Sequence, residues 1–295
     1  MVEPALNVGV VDIGTNSMRL LITSGETEVG RWVEVTGLGR GVDRTGLLSE
    51  DATKETLEVF ARFGQLMDRH EVKRRKAIAT SASRDAANRE GFFDRSALAL
   101  GVRPTLITGA EEARYAFAGA AGNISDARVV VSDIGGGSTE FVTREWSVSI
   151  DIGSVRLTDR ILVDRPATTL QLESAANHVK DLFAATSVPS AATAVGIAGT
   201  WTSLAAISSD LPGYEFGLVH GVVMDVADLD RLVGTLAGMT VAETASIPSL
   251  DPKRAPVILS GAVIAREVLP HLGMDAIKIS ERDTLDGVAA ELLAV

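Results

Sequence analysis

Residues 10–22, VVDIGTNSMRLLI, align without a gap on residues 131–143, VSDIGGGSTEFVT. Each copy runs from a β-branched apolar stretch into Asp-Ile-Gly (Asp12-Ile13-Gly14, Asp133-Ile134-Gly135) and reaches a serine three residues later, Ser17 or Ser138. Val8–Val11 and Val129–Val131 read as short buried strands, and the glycine lets the chain swing away from the aspartate into a tight turn. A strand–turn–strand unit repeated at one offset predicts two domains of like architecture that face each other, each offering one acidic, glycine-bearing turn to a cleft.

The residue types of the turn suit a phosphate. Gly135, Gly136 and Gly137 remove three side chains in succession, so an anion can come close enough to be held by several main-chain N–H groups, and Ser138 adds a hydroxyl. In the first copy Gly14 is followed by Thr15, Asn16 and Ser17, short side chains that donate and accept, with Arg19 beyond them as a charge partner. Asp12 and Asp133 repel a phosphate unless a hard divalent cation lies between them, which points to Mg²⁺, or Mn²⁺ in its place, held partly through waters. A β-hairpin with a glycine turn is the competing reading of either copy alone. Two copies in register favour the phosphate site.

Composition fits a two-domain soluble enzyme. The 295 residues fall in the range of two domains at ~100–200 residues each. No apolar run reaches spanning length, and the N-terminus has no basic segment ahead of an apolar core, so neither a membrane span nor a signal peptide is expected. The chain has no cysteine, which excludes disulfides and thiolate catalysis and fits a cytoplasmic protein. A formal charge of −11 and an aromatic content of 4% argue against a nucleic-acid binder. An acidic protein binds a polyanion only through local cations, for which Arg19, Arg84 and the run Lys73-Arg74-Arg75-Lys76 are candidates; the run also reads as a solvated helix end and loop. His70, His178, His220 and His271 lie far apart with no metal-ligand spacing, and His220 reads as a structural loop residue. Ser17 and Ser138 have no local histidine and read as phosphate ligands, not nucleophiles.

Strands are predicted near residues 6–12, 17–23 and 32–38, a helix over 49–70, a strand at 75–79, a helix near 85–99, a strand at 105–107 and a helix over 110–121. The pattern restarts with strands near 128–133, 138–143 and 146–152, helices near 155–164 and 169–185, a strand at 193–197 and a helix opening at Gly199. Gly122–Ala127 is the expected crossover, giving domains over 1–124 and 125–283.

These residues carry a resemblance. VVDIGTNSMRLLI, IATSASRDAAN (78–88), ITGAEEARYAFAG (107–119), VSDIGGGSTEF (131–141), DIGSVRLTD (151–159) and VGIAGTWTSLAA (195–206) follow one another as in the Ppx/GppA family of exopolyphosphatases and guanosine pentaphosphate phosphatases, within the actin-like ATPase superfamily. Weaker likenesses are Val219–Gly221 and Val257–Leu269. The Asp-Ile-Gly turns alone fit the superfamily, whereas the Glu111-Glu112-Ala113-Arg114 and Gly153–Thr158 segments point to the family. The resemblance implies an α/β fold of two actin-like, ribonuclease-H-type domains, with residues 284–295 returning to the first.

It also implies roles. Adjacent helical residues point about 100° apart, so one member of the Glu111-Glu112 pair faces the cleft; the family pattern makes Glu112 the catalytic glutamate and leaves Glu111 as the second choice, which reads equally as an acid favoured at a helix N-terminus. Arg84 resembles the phosphate-contacting arginine of the family, or is a helix-entry arginine paired with a carboxylate such as Asp85. Glu140 matches an acidic position that binds metal through water or orients Asp133. Gly199-Thr200 resembles the superfamily's adenosine-side motif, here holding a further phosphate or capping a helix. The activity implied is metal-assisted hydrolysis, water attacking a terminal phosphorus in line. Inorganic polyphosphate and guanosine pentaphosphate are the alternative substrates, and an ATP-binding actin-like kinase or regulator is a third reading. Long members carry helical C-terminal domains; a two-domain chain is expected to prefer short polyphosphate with weak processivity, or to rebuild the channel as a homodimer.

Overall fold

The computed structural model describes residues 6–25, 27–121, 124 and 128–294. The chain divides into two compact units, Met1–Gly119 with Thr284–Val295, and Ala120–Asp283. Apart from Ile124, the crossover expected at Gly122–Ala127 lies outside the described residues.

The first unit runs β1 (Val8–Ile13), β2 (Ser17–Thr23), β3 (Glu28–Val35), α1 (Val42–Thr45), α2 (Glu50–Arg69), β4 (Arg74–Ala79), α3 (Ser81–Asp85), α4 (Arg89–Leu100), β5 (Thr105–Leu106) and α5 (Gly109–Ala121). Its sheet has the order β3-β2-β1-β4-β5, antiparallel across the first two pairs and parallel across the last two. Every residue of β1 is buried, as a strand covered on both faces requires. Val11 and Ile13 pack with Met18, Leu20 and Ile22 against Phe60, Phe63 and Met67 of α2 and Phe92 and Phe93 of α4. Val8 and Val10 belong to a separate layer with Ile78, Ile107 and Tyr115. The period of two puts Asp12 on that second face. Ser49 starts α2 by accepting from the Ala52 N–H, with Glu50 and Asp51 in the first turn.

Three local expectations are corrected. β3 ends at Val35 rather than near 38, because the N–H groups of Thr36 and Gly37 turn to the Asn16 carbonyl (3.1 and 2.9 Å) and leave the ladder. The helix expected near 85–99 is α4, which starts later, at Arg89, because an unforeseen short helix, α3, precedes it and ends where Ala86 adopts extended angles (φ −88°, ψ 124°). The basic run 73–76 is no helix end: Arg74–Lys76 lie on β4 and their charges are used internally, Arg74 on the Leu292 carbonyl, Arg75 on Asp68 and the Leu100 carbonyl, Lys76 on Glu291.

The second unit runs β6 (Val129–Ile134), β7 (Thr139–Val142), β8 (Ser147–Ile150), α6 (Ser154–Arg160), α7 (Thr169–Ala184), β9 (Thr193–Ile197), α8 (Ala198–Ser208), β10 (Val223–Asp225), α9 (Val226–Gly238), α10 (Val241–Ala245), α11 (Ile258–Leu272) and β11 (Ala276–Ile279). Its order, β8-β7-β6-β9-β11-β10, repeats that of the first unit and adds β10 at the edge. Trp201 is fully buried, stands against Gly196 where a side chain would collide with the indole, and donates Nε1–H to Ser132 Oγ (3.3 Å). The last helix, α12 (Thr284–Leu293), belongs to the first unit: Leu285, Val288 and Ala289 complete the layer of Val8, Val10 and Tyr115, and Gly287 presses on the Tyr115 carbonyl, where no Cβ fits. No described helix is long and apolar enough to cross a membrane.

Candidate active site

The two turns are closed alike. Gly14 N–H donates to the Ser17 carbonyl (3.2 Å), and Gly135 N–H to the Ser138 carbonyl (3.0 Å). In the second turn the carbonyls of Gly135 and Gly136 accept from the N–H groups of Ser154, Val155 and Arg156 at 2.8–3.1 Å, and the Gly137 carbonyl accepts from Arg156 Nε (2.8 Å). A trans peptide holds its N–H opposite its carbonyl, so the N–H groups of Gly136, Gly137 and Ser138 point away from α6. The first turn is treated similarly by the loop after β3: Asn16 O accepts from Thr36 and Gly37, and Thr15 O accepts from Gly39 N–H (2.7 Å). The N–H groups of Asn16 and Ser17 are turned away from that loop. Thr15, Asn16 and Ser138 are buried.

The carboxylates differ between the copies. Asp12 lies directly across the β1–β2 ladder from Arg19 and Asp133 across the β6–β7 ladder from Glu140, so each pair shares a sheet face. Asp12 Oδ2 accepts from Arg19 Nε (3.0 Å) and Nη2. Asp133 and Glu140 are two neighbouring acids, 6% and 2% exposed, and Glu140 also accepts from Ser149 Oγ (2.6 Å). Two such carboxylates fit a Mg²⁺-like ion, which takes one or two protein carboxylates and fills its octahedron with water and phosphate oxygens. Among the described residues no cluster of three or more His, Asp or Glu is placed to hold a metal.

Glu112 and Arg84 meet. Arg84, in α3, donates Nη2–H to Glu112 Oε2 and to the Ile107 carbonyl, both at 3.3 Å. Its Nε is buried and has no hydrogen-bond partner, and neither does the buried Ser83 Oγ beside it. Stranded buried donors carry a desolvation cost of ~1–3 kcal/mol each unless a ligand meets them. α3 adjoins the first turn: Thr80 N–H donates to the Ile13 carbonyl (3.2 Å), and Gly39 fits between Thr15 and Ala82. Glu111 has a different occupation. Its Oε2 accepts from the N–H and Oγ1 of Thr108, both 2.8 Å, and Thr108 Oγ1 accepts from its N–H (3.2 Å), a closed capping box for α5. These bonds, the Thr108 backbone one first, hold the Glu111 carboxyl below the usual range.

Gly199 and Thr200 lie in the first turn of α8, after Ala198 in a left-handed conformation (φ 65°). The Arg254 guanidinium covers Gly199, and Thr200 Cγ2 fills the space beside Gly261. The helix has no side-chain cap at its N-terminus, so Thr200 does not cap it. Asp12, Gly14–Ser17, Arg19, Arg84, Glu111 and Glu112 thus belong to the first unit, and Asp133, Gly135–Ser138, Glu140, Gly199 and Thr200 to the second. The histidines serve elsewhere: His271 packs on Phe141 and Phe183, and His220 Nδ1 accepts from the Glu281 N–H. Sequence reading gave no role to Gly39 or Ser83, and it marked Gly153 and Arg156 only as part of the family-like Gly153–Thr158 segment. The contacts of Gly39, Gly153 and Arg156 are with the turns, distant in the chain, and only the glycines within GLGRG and DIGSVR hinted at close approach.

The model of the Ppx/GppA phosphatase family matches residues 22–294. Exopolyphosphatase 2 of Mycobacterium tuberculosis is 38% identical over 97% of this chain and 98% of its own. The crystal structure of an exopolyphosphatase-like protein superposes with a TM-score of 0.93 at 31% identity, covering 98% of this chain and 99% of that one. The Aquifex aeolicus member of the Ppx/GppA family superposes at 0.81, also at 31% identity, over 99% of both chains.

Proposed function

Because the chain belongs to the Ppx/GppA phosphatase family, we propose that it is an exopolyphosphatase, a hydrolase that removes the terminal phosphate of inorganic polyphosphate and releases orthophosphate. Its fold is the two-domain actin-like α/β fold of its structural neighbours. The observation that carries the reading is the doubled acidic turn, each copy closed by the same hydrogen bond and each with its carbonyls drawn to one side. A substrate made of repeated phosphoanhydrides offers equivalent anionic groups to both.

In the proposed mechanism Glu112 accepts a proton from the attacking water and orients it toward the terminal phosphorus, opposite the bridging oxygen. The bond between that oxygen and phosphorus breaks, and the shortened chain leaves as the oxyanion. Arg84, through its unpartnered Nε, and the N–H groups of Asn16 and Ser17 are the phosphate donors proposed for the first unit, and the N–H groups of Gly136, Gly137 and Ser138 those proposed for the second; each set favours oxygens on which negative charge gathers. Ser17 and Ser138 supply hydroxyls, and Gly199-Thr200 is the proposed contact for a phosphate further along the chain. Asp12 in the first unit and the Asp133–Glu140 pair in the second are the proposed carboxylates for Mg²⁺, which when bound would neutralise phosphate charge and lower the barrier to attack. Arg19 holds Asp12 in place through Nε and Nη2. The cysteine-free composition suits a reducing cytoplasm.

Guanosine pentaphosphate 5′-phosphatase activity is the second reading, since that nucleotide ends in the same anhydride. The test is phosphate release from short-chain polyphosphate and from guanosine pentaphosphate, each with Mg²⁺ or EDTA, by wild type and Glu112→Gln. Mg²⁺-dependent release from polyphosphate, reduced by about 10²–10⁴ in kcat with little change in KM in the variant, is expected for loss of a general base. Release from the nucleotide alone would move the enzyme to the second reading, and undiminished release by Glu112→Gln would remove Glu112 from the role.

A further inference from the structure

Gly153 stands where no side chain fits. Its φ of −143° and ψ of 173° are open to any residue, so room, and not backbone conformation, demands glycine. A Cβ there would lie against the Gly136 carbonyl and within 2.6 Å of Gly137 N, well inside van der Waals contact with the peptide that joins them. That peptide is held from the same side by Val155 and Arg156 N–H on the Gly136 carbonyl and, one peptide on, by Arg156 Nε on the Gly137 carbonyl. Gly39 occupies the corresponding place behind the first turn. A Cβ on it would come within 2.9 Å of Ala82 Cβ and 3.2 Å of Thr15 O, and its N–H holds the Thr15 carbonyl.

A triple-glycine turn has little preference of its own for one peptide orientation, since glycine adopts mirror-related conformations at similar cost. Flipping the Gly136–Gly137 or Gly137–Ser138 peptide would aim a carbonyl, instead of an N–H, at an anion on the far side. We propose that Gly153 and Arg156 are positioning residues that fix the second turn with its N–H groups toward phosphate, Gly39 doing the same for the first turn. Neither side chain need touch substrate: Gly153 permits the close approach of the backing segment, and Arg156 ties the last carbonyl through its Nε. The inference rests on the phosphate-binding role assigned above to the turns.

The experiment is calorimetric titration of inorganic phosphate, with Mg²⁺, into the full chain, beside thermal melting and kcat and KM on short-chain polyphosphate. Arg156→Gln places an amide nitrogen as many bonds from the backbone as Nε and keeps a donor without the charge; Arg156→Met keeps the length and has no donor. Gly234→Ala, a helical site where the new Cβ meets nothing, is the control. Gly153→Ala and Arg156→Met are expected to weaken phosphate binding by about tenfold or more, the effect of losing one or two hydrogen bonds to a charged ligand. Arg156→Gln is expected to recover most of the affinity, with Gly234→Ala binding as wild type. If Gly153→Ala does not fold, the Arg156 pair decides. Unchanged phosphate affinity in Arg156→Met, whatever its melting temperature, overturns the proposal, and so does an Arg156→Gln no better than Arg156→Met, which would assign Arg156 a role through its charge. A wild type that binds no phosphate overturns it too. A wild type that binds phosphate yet hydrolyses neither polyphosphate nor guanosine pentaphosphate defeats the hydrolase reading, and the variants still decide this one.

Discussion

Arg19 and Glu140 occupy matching places in the two repeats, each directly across a ladder from the turn's aspartate. One exchange of charge makes the two halves chemically unlike: the first aspartate is neutralised by its own unit, while the second faces another acid at a few per cent exposure. Like charges opposite each other in a sheet cost about 0.2–1 kcal/mol, and a divalent cation converts that repulsion into shared ligation. Glu140→Gln should therefore have two effects of opposite sign. Stability in EDTA, followed by urea unfolding, should rise by up to about 1 kcal/mol, while the Mg²⁺ concentration for half-maximal activity rises about tenfold, one carboxylate ligand having been lost. A variant less stable in EDTA with an unaltered Mg²⁺ requirement would show that Glu140 serves the fold and not the ion. The aspartates and glycines of the turns stood out in sequence because the repeat aligns without gaps, and Glu140 stood out through the family resemblance. The contact of Arg84 with Glu112 was not, since 28 residues and a strand separate them.

At the scale of elements, the repeat announced both hairpins and the strands that follow, and the observed sheets carry them in the same order. What escaped was set by tertiary hydrogen bonds: β3 stops early because its next two N–H groups serve the Asn16 carbonyl, and the cations at the start of the expected strand β4 clasp other elements. One of those clasps holds α12. Glu291 accepts from Lys76 Nζ (2.7 Å), Tyr115 Oη (2.8 Å) and Arg114 Nη2 (3.1 Å), while Arg74 caps the Leu292 carbonyl and Arg31 meets Asp286. The Lys76 and Tyr115 bonds lead in lowering the Glu291 carboxyl from 4.5 to about 2. A depressed carboxylate contributes stability that is complete above its unfolded value and is lost as pH falls through the folded one. Docking of α12 should accordingly loosen as pH drops from about 4.5 toward 2. Hydrogen exchange across residues 284–293, corrected for the intrinsic pH dependence, would detect this as falling protection in that window, and Glu291→Gln should abolish the extra pH dependence. Protection that varies equally in both proteins would mean that the apolar face, Leu285, Val288 and Ala289, holds the helix alone.

At the scale of the whole molecule, the substrate proposed for a chain with a formal charge of −11 is itself a polyanion. General electrostatic attraction does not achieve that; short-range donors and a cation must. The two turns, Arg84 and the Asp133–Glu140 pair supply groups of that kind within their own units, and the proposed hydrolysis puts water on the terminal phosphorus. The most direct test is hydrolysis of short-chain polyphosphate in ¹⁸O-water, with mass analysis of both products. Attack on the terminal phosphorus gives orthophosphate that carries one solvent oxygen per molecule and a shortened chain that carries none. Label in the remaining chain with unlabelled orthophosphate would put the attack on the penultimate phosphorus and contradict it.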